Sequence, residues 1–352
     1  MLYDVILGSL LSRRVDPLVP VLQETASDNM TTFAAKNAVY SAVYTTALVF
    51  RGQYLALIGC QNHATFLDHV CSGGAEFRRP YTRHTAAMRA ANRLRARLVP
   101  TRSGAYISSW GPLNDPRGRS SSAIDTMANL PLLFWATRQS GDASFLYAGE
   151  AHARKTAEAF IRPDGSTYHA VEYNPISGER IRGYTFQGYA DESLWPRGQG
   201  WAIYGYAATA RATGNQAYLE QATRLAEHYL KRLGESCVPP WDFDDPAVPH
   251  TLRDSAAAAI VSSAMLEISA LHPNLQDQKL WRERALAMLD GLCKDYLARS
   301  SAHRGLLMHG CYSRPHNEGV DSATMFGDFY FVEALCKLTM PGRFRHQTAA
   351  LN

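Results

Sequence analysis

Asp125 heads the apolar run from Asp125 to Ala136, which reads as the start of a buried helix. A carboxyl group there has two uses. It can cap the helix and meet the helix dipole. It can also act as an acid/base whose proton is held by the apolar surroundings behind it. His169 lies in a strand-like stretch beginning at Gly165 and is a natural partner for a hydroxyl or a carboxylate. Gln187, in the segment Thr185 to Tyr189, is of the type that binds sugar hydroxyls. Arg197 follows Pro196 in the segment Trp195 to Trp201. Pro suits the first helical turn, where a cation is disfavoured by the dipole. Arg197 therefore calls for an anionic partner, either an internal Asp or a substrate carboxylate held by the guanidinium fork. Arg253 and Asp254, adjacent in the chain, read as a structural ion pair, with Asp254 or Ser255 capping the next helix. Trp110 and Trp241 could stack on sugar rings or seal the core.

The elements that must hold these residues recur as a repeat. An apolar helix ends at a short turn and a second helix follows. One pair runs from Asp125 to Gln139 and from Phe145 to Phe160. The next runs from Arg197 to Ala212 and from Tyr218 to Leu233. A third runs from Asp254 to Leu271 and from Gln278 to Leu297. Ser140-Gly141-Asp142 and Thr213-Gly214-Asn215 are the expected left-handed stops. The second helices carry apolar residues at three- and four-residue spacing: Leu219, Ala222, Leu225, Ala226, Tyr229, Leu230. The first helices are apolar nearly all round, so they are buried on every side. Earlier pairs fall at Ala35 to Leu57 and Tyr81 to Val99, and a last helix at Phe329 to Leu338 closes the ring. The expectation is an all-α toroid of helical hairpins, one domain over residues 1–352. Four connections, Gly104 to Ser122, Gly165 to Trp195, Pro239 to Arg253 and Gly310 to Asp328, then fall at one mouth.

Composition excludes several classes. The net charge is +4 over 352 residues, too diffuse for nucleic-acid binding. No apolar run is long enough for a membrane span, and Met1 to Leu11 lacks the basic start of a signal peptide. The six cysteines form no C-x-x-C pair, and neither ligand spacing nor a cofactor motif is present. The expectation is a cytoplasmic monomer with no metal and no cofactor, acting on a small molecule.

In order and spacing, the segments Ala123 to Ala136, Tyr168-His169, Phe186 to Tyr189, Trp195 to Gly205, Pro240 to Asp244, Arg253 to Ala258 and Gly327 to Leu335 resemble the unsaturated glucuronyl hydrolases, glycoside hydrolase family 88. The resemblance covers roughly residues 80 to 340. It implies an (α/α)6 barrel and an oligosaccharide substrate ending in a 4,5-unsaturated uronic acid. It implies that Asp125 protonates C4 and activates the water that adds at C5. His169, Gln187 and Arg197 are then substrate contacts, and Trp110 and Trp201 ring-contacting aromatics. The sequence departs from the family in its first third. Where the family has a second Asp in a His-Asp-apolar-Gly-Phe motif, the matching segment Asn62 to Leu67 has His63, with Asp68 out of register. The family's Trp-Thr-small-Gly-Phe stretch is likewise eroded at Thr45 to Phe50. Two alternatives stay open: an impaired homologue that still binds acidic sugars, and an unsaturated rhamnogalacturonyl hydrolase.

Overall fold

The computed structural model describes residues 83–111, 113–114, 119–299 and 305–339. His63, Asp68 and the helices expected between Ala35 and Leu57 lie outside the described residues. The elements run α1 (Arg83–Arg95), β1 (Leu98–Thr101), β2 (Gly104–Ile107), β3 (Ser121–Ala123), a 3-10 turn (Ile124–Asn129), α2 (Leu130–Ser140), α3 (Ala143–Ala159), β4 (Ala170–Tyr173), β5 (Arg180–Tyr184), α4 (Pro196–Thr213), α5 (Gln216–Leu233), α6 (Ser255–Leu271), α7 (Leu275–Gly291), a π-helical stretch (Leu292–Tyr296) and α8 (Met325–Thr339).

The repeat is present. α2 and α3, α4 and α5, and α6 and α7 are antiparallel pairs, and α4, α6 and α8 pack side by side as the inner layer. α6 shows why. Every residue from Ser255 to Ile268 is buried, and its first capping turn is closed by Asp254, which accepts from the backbone of Ala256 and Ala257. The outer α5 is one-sided: Leu219, Ala222, Leu225, Ala226 and Tyr229 are buried and its other face is charged. Gly141 (φ 72°) and Gly214 (φ 68°) end α2 and α4 in the left-handed conformation. The third turn works differently. His272 stays extended, Pro273 stops α6, and Asn274 caps α7 through Gln276 and Asp277.

Three expectations are corrected. The helix expected from Asp125 begins as a 3-10 turn and becomes α-helical only at Leu130. The pair expected over Tyr81 to Val99 is the single helix α1, followed by the β1–β2 hairpin. The mouth connections also carry a three-stranded antiparallel sheet, ordered β3-β4-β5. Its register sets Ala123 opposite Ala170 and Ala170 opposite Tyr184. The sheet packs closely on the connection before β4: a Cβ on Gly183 would run into the Tyr168 ring, so β5 lies against that ring only because residue 183 is glycine.

The opposite ends of the inner helices are tied by buried charge. Arg211 of α4 pairs with Glu267 of α6. Lys337 of α8 lies 3.2 Å from Glu267 and 3.1 Å from Glu333, and Tyr204 donates to Glu333 at 3.1 Å. Desolvation pushes the Lys337 ammonium down to about 8, against the pull of Glu333. Both cations sit in the last turns of their helices, where the dipole favours them.

Candidate active site

β3 and β4 bring Asp125 and His169 together. Ile124 donates its backbone N–H to the carbonyl of His169 at 2.9 Å, continuing the ladder just beyond the strand ends. Residues 44 positions apart thus face one another, with His169 Nε2 at 3.7 Å from Asp125 Oδ2. The 3-10 turn is pinned from the Trp110 side. Ser109 Oγ lies 2.9 Å from Thr126 Oγ1 and accepts from the backbone of Ala123 at 2.7 Å. It is pressed from below by α4: a Cβ on Gly205 would lie 2.6 Å from the Met127 carbonyl oxygen.

The carboxyl lies deep in a hollow, yet among the described residues 40% of its side-chain surface stays accessible. Its Oδ2 atom is itself buried and makes no hydrogen bond among the described residues. Burial pushes the group up to about 6, against Arg197, its own backbone N–H and the Trp201 indole. The indole N–H acts on the carboxylate from nearby, and among the described residues Trp201 Nε1 completes no hydrogen bond. His169 is held between Phe186 and Trp195, each with its ring centroid 4.3 Å away. Burial, then the charge of Arg197, drive its pKa down to about 3, so the imidazole is neutral. Its Nε2 is buried without a partner among the described residues. Among the described residues, Asp125 Oδ2, His169 Nε2 and Trp201 Nε1 are thus three polar atoms without a hydrogen-bond partner in one aromatic-walled hollow. Buried polar groups are rarely left so, and a ligand that supplies hydrogen-bonding atoms would satisfy them.

Arg197 has an internal answer to its charge. It is 1% exposed and donates to Asp254 Oδ2 and the Cys311 carbonyl, both at 2.5 Å, and to the Tyr312 carbonyl. The rings of Trp195 and Phe326 lie 4.5 and 5.1 Å from its guanidinium carbon. The expected pair of Arg253 with Asp254 does not form. Neighbours in sequence point apart at the helix start, and Arg253 donates to the carbonyls of Val238 and Pro249. Gln187 donates to the same Tyr312 carbonyl at 2.9 Å, so Gln187 and Arg197 meet on one loop. Trp110 is partly exposed and edges onto Phe186 at 5.4 Å, forming the outer wall. Trp201 is 6% exposed and packs edge-on to Phe326 and Tyr330. Trp241 seals rather than stacks: it is buried, and its indole N–H donates to Asp245 at 2.6 Å.

Asp125, His169 and Trp110 are brought together, while Gln187 and Arg197 brace the adjoining loop. Sequence reasoning missed the walls Phe186 and Trp195, the pin Ser109 and the Asp254 counter-charge. It missed Asp242 as well, which accepts from Tyr189 and Ser193 and holds the 185–193 turn. Phe186 and Trp195 flank the candidates Gln187 and Arg197 in the chain, which is the one signal that pointed to them. Among the described residues no group of three or more His, Cys, Asp or Glu side chains is placed to hold a metal ion, and no helix is long and apolar enough to cross a membrane.

No family model matches the chain. Individual proteins do. An unsaturated glucuronyl hydrolase of Bacillus sp. (strain GL1) is 39% identical over 234 residues, 66% of this chain and 62% of that protein. An unsaturated chondroitin disaccharide hydrolase of Streptococcus pyogenes serotype M1 is 34% identical over 255 residues, 72% of this chain and 63% of that protein. The chain thus spans less than two thirds of the length of these curated relatives. Among solved structures, the Bacillus sp. GL1 unsaturated glucuronyl hydrolase, described as responsible for the degradation of glycosaminoglycan, superposes with a TM-score of 0.67 at 36% identity, covering 74% of this chain and 69% of that one. An unsaturated glucuronyl hydrolase specific for heparin gives a TM-score of 0.68 at 29% identity with the same coverage.

Proposed function

From the premise that this chain belongs to the unsaturated glucuronyl hydrolases, α/α-barrel glycoside hydrolases of family 88, we propose that it removes a 4,5-unsaturated uronic acid from the non-reducing end of lyase-generated oligosaccharides. The observation that carries this reading is the Asp125 carboxyl, raised to about 6 and facing a neutral imidazole between aromatic walls. Such a group holds a proton near neutral pH and can give it up at low cost. Asp125 in its acid form protonates C4 of the C4=C5 bond. Water then adds at C5 and returns a proton to the carboxylate, so the carboxyl ends as it began. The hemiketal at C5 opens, and the C1 hemiacetal so formed releases the remaining sugar as an alcohol. Ordinary glycosidases instead place two carboxylates across the anomeric carbon. Trp110 and Trp201 contact the sugar ring. Gln187 and Arg197 hold the loop through Tyr312, with Arg197 acting through its charge rather than by grasping substrate. The chain works as a cytoplasmic monomer on small acidic oligosaccharides.

The test uses the substrate's conjugated double bond. Unsaturated disaccharides from chondroitin, heparin, gellan and pectin lyases are incubated with the protein and their ultraviolet absorbance is followed. Loss of absorbance, abolished by Asp125→Asn, is the expected result, and the substrate that responds defines the class. Unchanged absorbance with every substrate, from folded protein, overturns the reading. A second reading rests on His63, which stands where the family has an Asp: binding of acidic sugars without turnover. Binding of an unsaturated disaccharide with no loss of absorbance, and turnover gained in His63→Asp, would favour it.

A further inference from the structure

His169 has two ring nitrogens and, being neutral, one proton. Which nitrogen carries it decides what Asp125 faces. The neighbour of Nδ1 is Thr185 Oγ1, at 2.9 Å. That hydroxyl already accepts the backbone N–H of Gly188 at 2.8 Å. The threonine cannot turn away from this bond easily. Its own N–H is held by Asp191 Oδ1 at 2.8 Å, and the turn beyond is held by Asp242 through Tyr189 at 2.8 Å. Gly188 fits tightly here, since a Cβ on it would lie 2.9 Å from Thr185 Oγ1 and 3.1 Å from Asp242 Oδ2.

The hydrogen count at the Thr185 hydroxyl then favours one arrangement. The Thr185 hydroxyl has a single hydrogen, and among the described residues its only neighbour able to accept it is His169 Nδ1. If Nδ1 carried the proton, the hydroxyl would accept twice and its own hydrogen would go unused. Once Asp125 has given up its proton, a bare Nε2 lone pair would also face the carboxylate, lone pair against lone pair. If Nδ1 accepts, the Thr185 hydroxyl both donates and accepts, and an N–H points from Nε2 toward Oδ2, 3.7 Å away. That distance exceeds a hydrogen bond. The N–H is a donor held ready for a substrate oxygen or for the carboxylate after it has given up its proton.

We propose that Thr185 is a positioning residue: by donating to Nδ1 it keeps the proton of His169 on Nε2, facing Asp125. The role rests on the reaction proposed above, but the tautomer itself does not. Fixing an imidazole tautomer through the nitrogen remote from the chemistry is a general device. Its loss costs roughly tenfold to a hundredfold or more where measured in other sites.

Nitrogen-15 NMR of histidine-labelled protein reads the tautomer directly, with the His169 signals identified by their loss in His169→Gln. The wild-type protein is expected to show Nε2–H. Thr185→Val is expected to shift the ring toward Nδ1–H or a mixture and to lower kcat by about tenfold or more with KM changed by less than about threefold. Its pH profile is expected to move upward, because the ionised carboxylate has lost a facing donor. Thr185→Ser keeps the hydroxyl and is expected to restore both tautomer and rate. An Nδ1–H signal in the wild-type protein overturns the proposal outright, whether or not the valine variant folds. So does a valine variant with wild-type tautomer and kcat, or a serine variant as impaired as valine. If wild-type protein turns over no unsaturated disaccharide, the proposed reaction fails while the tautomer measurement still decides the role of Thr185.

Discussion

Removing Asp254 should damage this protein more than removing the arginine it pairs with. The carboxylate is fully buried. It accepts from Arg197 at 2.5 Å and from the backbone N–H groups of Ala256, Ala257 and Cys311 at 3.2 to 3.4 Å. In Asp254→Ala, Arg197 keeps only the carbonyls of Cys311 and Tyr312 and is left as a buried charge without a counter-charge, a loss of about 3–5 kcal/mol. The N-cap of α6 goes as well, for about 1 kcal/mol more. The sum, about 4–6 kcal/mol, is a large part of a typical stability of about 5–15 kcal/mol. At about 2 °C per kcal/mol for a chain this large, the melting temperature should fall by about 10 °C. In Arg197→Met, by contrast, Asp254 keeps three N–H donors and a helix N-terminus, which stabilise a lone carboxylate. That variant should lose about half as much, and the double variant less than the sum of the two. The check is urea unfolding followed by circular dichroism on the four proteins. A cost below about 1 kcal/mol for Asp254→Ala, or strict additivity across the cycle, would refute the reasoning.

Four further outcomes follow from the geometry. In the reaction proposed, the acid form of Asp125 acts first, so kcat/KM should be level below about pH 6 and fall about tenfold per unit above it; a pH profile with no break between 5 and 7 would contradict this. Asp125→Asn should raise the melting temperature at pH 8 and not at pH 3.5. The folded carboxyl titrates above its value of 3.8 in the unfolded chain, so its ionisation costs stability that is fully present below 3.8 and lost as pH rises through about 6. Gly205→Ala should press on the Met127 carbonyl and displace the turn carrying Asp125, costing about 1–3 kcal/mol and most of the activity; wild-type kcat in that variant would remove Gly205 from the positioning argument. His152 is fully buried, its Nδ1 accepts from Ile107, and desolvation drives it down to about 3 from 6.5. The unfolded chain takes that proton as pH falls below 6.5 and the folded one does not, so stability should fall by about 1.4 kcal/mol per pH unit on this account. His152→Asn should flatten the slope of unfolding free energy against pH by one proton between pH 6 and 4.

Much of the helical frame was legible because helix burial leaves a period in the sequence. α5 could be read residue by residue from Leu219 to Leu230, and α6 from the absence of any polar face. The sheet was not legible. β3 is three residues long and β4 four, too short for an alternation to register, and each is specified by a partner about fifty residues away. The candidate site divides along the same line. Asp125 and His169 could be nominated singly from their settings. Their meeting depends on the β3–β4 register, which no local pattern encodes. Arg197 was read correctly as needing an anion, but the choice between an internal and an external one turns on a residue 57 positions away. The adjacency of Arg253 to Asp254 suggested the wrong pairing, because successive residues at a helix start point apart.

The two ends of the inner helices show why the site lies where it does. α4, α6 and α8 all begin at the mouth, around Arg197: Trp195, Asp254 and Phe326 from their three starts surround its guanidinium. The aligned helix starts and the buried arginine each place positive charge at this end. The same field would lower the pKa of any carboxyl near it, and the Arg197 charge does pull on Asp125 in that direction. Asp254 resolves the conflict. Its carboxylate pairs with Arg197 at 2.5 Å and offsets that pull, while burial raises Asp125 toward neutral pH. Replacing Asp254 by Asn, which keeps an oxygen for Arg197 and removes the charge, should therefore lower the apparent pKa of Asp125 and shift the falling limb of the pH profile to lower pH. A limb that stays in place in a folded Asp254→Asn protein would mean that the arginine is screened from Asp125 by something other than its partner.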